Sequence, residues 1–247
     1  PYTTLFRSLC KGLACVDQID GTYTDKRRFL IFDYCGNFEY FREHKEGYEA
    51  RETKTLSENI FGKQIKIVMA LQESAFVGKE YQAWRDEMVD ICHKQVASLN
   101  PDLIAVKLRM QVVEKYKKRD AFVSLSEGDK GELLTQIAPL VRSEETDEFA
   151  KRFDNFMYGL ILAHIEQLPS FKYAKKQLCD TASLLERKAN IPQIKEKLPL
   201  LQEIHTDVFW DANDILLFEK VRKELRGLIR FLDEDDGGQK RIITKLT

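Results

Sequence analysis

"TDEFAKRFDNFMYGLILAHIEQL", residues 146–168, decides the fold class. Phe149, Phe153, Phe156, Leu160 and Ile165 recur at the helical interval, which lays one apolar stripe along an α-helix. Glu144, Glu145, Asp147 and Glu148 crowd the start of that helix. Carboxylates there favour the positive end of the helix dipole, and a pair poised for acid–base catalysis is the second reading. Pro169 is expected to stop the helix. A stripe this long needs an apolar partner, and the sequence supplies several.

From residue 55 onward the pattern is helical almost without a break. Thr55 and Glu58 have the spacing of a capping box, and Phe61, Ile65, Val68 and Leu71 line the helix behind it. Asn100 and Pro101 read as N-cap and first residue of a helix with the stripe Leu103, Val106, Met110 and Val113. Asp129 and Glu132 read as another capping box before "LLTQIAPLV". Further helices are expected from Ser170 to about Ala189, from Pro192 to about Phe209 and from about Asp214 to Asp233. The last has the stripe Phe218, Val221, Leu225, Leu228 and Leu232. Helices of about 15 to 22 residues with short connections imply antiparallel neighbours.

Before residue 50 the texture differs. Gly12, Gly21, Gly36 and Gly47 punctuate it, and one apolar run, Phe29 to Phe32, reads as a buried strand of a parallel sheet. A short turn capped by Asn37 follows it. No other strand is expected before residue 50, so this one lacks partners. The fold class is therefore mainly α: a multi-helix domain over 51–247, preceded by a remnant of an α/β domain over 9–50. The tail after Asp233 reads as strand-like or unpaired.

Residues 1–8, "PYTTLFRS", resemble the frame translation of a sequencing-adapter oligonucleotide. They are set aside as a non-native tail, with native sequence expected from Leu9.

The 247 residues carry 39 basic and 40 acidic side chains, a formal net charge of -1. That balance gives no overall pull toward nucleic acid, although local patches could still bind it. No apolar run reaches the roughly 18 residues that cross a bilayer, so a soluble cytoplasmic protein without a membrane partner is expected. Cys10, Cys15, Cys35, Cys92 and Cys179 are scattered, as in a reducing compartment.

Chemistry is sparse. His44, His93, His164 and His205 form no H-x-x-x-H or H-E-x-x-H spacing. Cys92 beside His93 points in a different direction on a helix, which favours a half-buried thiol and a surface imidazole over a metal site. His164, on an apolar stripe, reads as a hydrogen-bonded core residue. Neither a phosphate-loop nor a G-x-S-x-G nor a G-x-G-x-x-G motif occurs. No catalytic, cofactor-binding or metal-ligating residue is therefore assigned. The concentrated basic run "EKYKKRD", residues 114–120, makes Lys115, Lys117, Lys118 and Arg119 the candidate DNA contacts. A solvated helix end, with cations at the negative dipole end, is the competing reading. Lys172, Lys175 and Lys176 form a weaker second cluster with the same two readings.

"LCKGL", from Leu9, followed by "KRRFLIFDYCGNFEYFRE" resembles the region just after helicase motif VI in the restriction (R) subunits of type I restriction-modification enzymes. The matching residues are Leu9, Cys10, Gly12, Leu13, Phe29, Ile31, Phe32, Asp33, Gly36, Asn37, Phe38, Glu39 and Phe41. The match covers about 35 residues, and the helical remainder agrees in character with what is called the EcoEI R-protein C-terminal domain. The resemblance implies that strand Phe29 to Phe32 belongs to the second RecA-like motor domain of a DEAD/DEAH-box helicase. It implies an intact parent that uses ATP and Mg to translocate DNA and cleave it as an endonuclease. It implies modification and specificity subunits as partners, with DNA reached through the complex. The family pattern places an arginine directly before Leu9; Ser8 stands there, so Arg7 is not given the ATP-contacting role, and no cofactor is expected within this chain. The alternatives are the C-terminal helices of another DEAD/DEAH-type helicase, gripping nucleic acid, and a helical scaffold that binds only protein.

Overall fold

The computed structural model describes residues 54–142 and 145–232, together with the backbone of two short strands nearer the N-terminus. The expected strand Phe29 to Phe32, the Asn37 turn and the tail after Leu232 lie outside the described residues. The chain divides into two compact units, Pro1–Thr53 and Lys54–Thr247.

In the first unit, β1 (Cys15–Asp17) pairs antiparallel with β2 (Tyr23–Asp25), Val16 opposite Thr24. This corrects the expectation that no strand but Phe29 to Phe32 precedes residue 50. Strands of three residues show barely one period of alternation, too little for the pattern to register.

In the second unit, α1 (Leu56–Ala70) begins where the Thr55 hydroxyl accepts the Glu58 amide. Its expected stripe is the observed one: Phe61, Ile65, Val68 and Leu71 are fully buried. Each such side chain stabilises by roughly 1.5–3 kcal/mol relative to exposure. The partner of α1 is α6 (Glu148–Ile165), the helix of the opening stretch, which buries Phe153, Met157, Leu160 and Ile161. Asp147 caps α6, accepting from Phe149 and Ala150 amides. Asp147 and Glu148 of the acidic cluster therefore serve the helix start, and Glu144 lies outside the described residues.

Pro169 does not stop α6. The helix closes earlier, with Gln167 at φ 52°, its amide donating to His164 and the Leu168 amide donating to Ala163 at 2.8 Å. That 6→1 bond satisfies carbonyls the helix end would leave bare and offsets the left-handed Gln167.

Flanking this pair are α2 (Lys79–Ala97), α7 (Ser170–Glu186) and α11 (Ile215–Leu225). Short helices fill the connections: α3 (Ile104–Lys107), α4 (Met110–Tyr116), α5 (Glu127–Glu132), α8 (Pro192–Lys195), α9 (Leu198–Ile204) and α10 (Asp207–Asp211).

Three expected helices are broken. The Asn100 side chain accepts the Asp102 amide in a local turn, so the helix starts later, at Ile104, and Leu103 is left exposed. Pro199 has no amide for the Lys195 carbonyl, so the expected helix from Pro192 restarts at Leu198 and again after Thr206, whose hydroxyl caps α10. Gly227 follows α11, and the chain continues only as a 3₁₀ turn, Ile229–Leu232. The capping box before "LLTQIAPLV" is made by Ser126 and Asp129, not by Asp129 and Glu132. The following Leu133–Ile137 is a π-helical turn.

Candidate functional site

The basic run begins at the end of α4. Tyr116 is fully buried and pins the helix, while Lys115, Lys117, Lys118 and Arg119 fan out around it. Lys115 Nζ lies 2.7 Å from both Asp129 Oδ1 and Glu132 Oε2. The Tyr116 hydroxyl shares its proton between the same two oxygens, at 2.9 and 2.8 Å. The hydrogen bond to Asp129, then that to Glu132, raises the Lys115 ammonium above the ordinary lysine range. The same contact holds Asp129 and Glu132 below the usual carboxylate range. Burial raises the Tyr116 phenol.

Lys117 pairs with Glu114 at 2.8 Å, and Arg119 with Asp90 at 2.5 Å. His93 Nε2 lies 2.8 Å from the Lys117 carbonyl oxygen, tying the end of α4 to α2. Lys118 is exposed and has no ion pair among the described residues. The structure thus brings three of the four candidate DNA contacts onto carboxylates of their own protein. A phosphate backbone arriving there would meet Asp129, Glu132, Glu114 and Asp90 as well as the cations, and the local field is close to neutral.

The second cluster is different. On α7, Lys172 and Lys176 are exposed, Tyr173 beside them is 60% exposed, and Lys175 Nζ stands 4.8 Å over the Trp210 ring. No described carboxylate lies within ion-pair distance of Lys172, Lys175 or Lys176.

Among the described residues, the other cysteine and histidine side chains serve packing and hydrogen bonding, and the side chains of His44, Cys10, Cys15 and Cys35 lie outside them. Cys92 is fully buried, and burial pushes its thiol up, away from thiolate reactivity. It is more deeply buried than expected beside His93, because it faces the core of α2. His164 is half-buried between Phe171 and Phe218; burial lowers its pKa, opposed by a hydrogen bond to the Asn213 backbone. His205 Nε2 lies 3.4 Å from Ser183 Oγ and 3.8 Å from Glu186 Oε1. Both contacts fall on one ring nitrogen, so the imidazole cannot relay a proton between them as a nucleophile triad requires. Among the described residues no three His, Cys, Asp or Glu side chains are grouped to hold a metal, and no helix is long and apolar enough to cross a membrane.

Sequence reasoning missed the most elaborate polar cluster. Arg222 on α11 donates to Asp154 of α6 at 2.7 Å and makes a two-pronged contact with Glu219 at 2.8 and 2.7 Å. Its guanidinium stacks 4.9 Å from the Tyr158 ring. Arg226 bridges Asp154 and Glu145. The signal was Asp154 itself, a carboxylate inside the apolar run "FDNFMYGL". With both arginine forks matched, the cluster locks α11 onto α6 and leaves no free group for chemistry.

Also missed was α3. Leu103 is 56% exposed, Ile104 77% and Leu108 81%. Ile104 and Leu108 share a helix face and Leu103 precedes it, so three large aliphatic side chains meet solvent within six residues. An open groove of about 440 Å³ lies between α2 and α11, lined by residues that include Trp84 and Leu216. Lys223 and Glu87 pair across its rim at 2.7 Å.

Comparison of the chain with family models, with curated proteins and with solved structures finds no match.

Proposed function

We propose that this chain is the C-terminal part of the R subunit of a type I restriction-modification complex, and that its helical unit is an assembly module. In this reading α3 docks on the modification and specificity subunits, and DNA is reached through the complex. ATP binding, Mg binding and cleavage belong to the motor and nuclease domains of the intact parent, a DEAD/DEAH-box translocase and endonuclease. Support for the family comes from the run of matching residues between Leu9 and Phe41.

The observation that carries the docking role is the apolar face of α3. Scattered exposed apolar side chains are ordinary, but a contiguous group without a partner marks an interaction surface. Leu103, Ile104 and Leu108 belong to no core, and their exposure weakens the chain's solubility unless something covers them.

The test is a sedimentation experiment with the 247-residue chain and a purified modification–specificity core from the same operon. Co-sedimentation that is lost in the Leu103→Ser, Ile104→Ser, Leu108→Ser triple variant supports docking through α3. Absence of a complex, or one indifferent to the triple variant, removes it.

A further inference from the structure

The three lysines and one arginine around Tyr116 and the three lysines of α7 look alike in sequence, yet their surroundings are opposite. The first run is neutralised by Asp129, Glu132, Glu114 and Asp90. On α7 the charges are unspent. Lys172, Lys175 and Lys176 have no carboxylate within ion-pair distance among the described residues, and the first turn of the helix carries no acid. At about 100° per residue, Lys176 projects between Lys172 and Tyr173. Two free ammonium groups therefore stand side by side next to Tyr173, which is 60% exposed. Lys175, held over Trp210, extends the same positive strip toward α10.

An exposed tyrosine beside unpaired lysines has a specific use. The ammonium groups neutralise successive phosphates and release their counterions, and the ring offers a π-face to an unstacked base. In a duplex the bases are stacked inside, so the ring would have nothing to bind. We propose that the α7 face of Lys172, Tyr173 and Lys176 is a contact surface for single-stranded nucleic acid. This surface is separate from α3, and it stands or falls independently of the docking reading.

The probe is a fluorescent thymidine oligonucleotide of about 15 nucleotides, within the usual range of single-strand site sizes, titrated with the 247-residue chain at salt concentrations between about 50 and 200 mM. Binding is expected, falling steeply with salt. Lys172→Glu with Lys176→Glu should weaken it at least tenfold and reduce the log–log salt slope by about 1.4, the share of two single-strand phosphate contacts. Tyr173→Ala should weaken it about tenfold without changing the slope, and Tyr173→Phe should restore it. Lys118→Glu, in the run whose other three cations are paired with carboxylates and which lacks an exposed ring, should leave the slope as it was. All four positions are exposed, and unchanged thermal melting shows that the variants fold.

The proposal is overturned by no binding at the lowest salt, or by an equal loss of slope in Lys118→Glu. A duplex of the same length bound as well as the single strand, with Tyr173→Ala silent, also overturns it, as does retention by phosphatidylserine vesicles without oligonucleotide binding.

Discussion

Lys63 Nζ on α1 lies 2.7 Å from the backbone carbonyl oxygen of Asn155 on α6 and 2.8 Å from that residue's side-chain oxygen. The amine crosses the helix pair where Gly159 has no side chain; a Cβ there would come within 3.2 Å of Nζ. No described carboxylate pairs with it, and burial, then the neighbouring Lys66, lower its pKa to about 8. The folded state therefore releases this proton before the unfolded chain does. Between about pH 8 and 10 the unfolded state binds more protons, so stability rises with pH, by at most about 3 kcal/mol from this group. Urea melts at stepped pH should show the rise in the wild type and its loss in Lys63→Met. Above pH 10 the buried Tyr158, whose phenol burial raises, opposes it.

Asp154 neutralises two arginines at once. Its side chain is 10% exposed, as against 8% for Arg222. Asp154→Ala leaves Arg222 short of one partner and Arg226 with Glu145 alone, at a cost of about 3–5 kcal/mol. Chemical denaturation measures this directly. Glu145 adds an acid-side dependence. Hydrogen bonding from the Asp147 amide, then from Arg226, depresses its pKa, so its contribution is full above the ordinary carboxylate range and fades as pH falls below it.

Ser126 caps α5 reciprocally with Asp129, whose carboxylate accepts the Ser126 amide at 3.0 Å. Ser126→Ala should cost about 1 kcal/mol. Asp129→Ala should cost more, because it removes the cap and also one of the two carboxylates on Lys115 and Tyr116. A thermal melt in which Ser126→Ala exceeds Asp129→Ala contradicts this shared role.

The long helices were legible because every turn repeats the message: Phe61, Ile65, Val68 and Leu71, like Phe153 and Leu160, repeat the stripe at each step and all reach the core. The short helices were not. Asn100 has a cap's chemistry but spends it on the Asp102 amide, and Pro199 interrupts a pattern whose apolar spacing continues regardless. The basic run shows the deeper limit. Whether Lys115 is free for a phosphate depends on Asp129 and Glu132, 14 and 17 residues away, and only the packing of α4 against α5 brings them together. The apolar face of α3 was hidden for the converse reason: Leu103 was assigned to a core stripe that ends, in the fold, at Val106 and Val113.

Hydrogen exchange tests the central claim, that the helical unit assembles through α3, at the residues concerned. Backbone amides of residues 103–109 should exchange fast in the isolated chain, since α3 is a single exposed turn. On addition of the modification–specificity core they should become protected, with little change at the 115–119 run. Binding that protects another surface and leaves 103–109 exchanging at the free rate would contradict it.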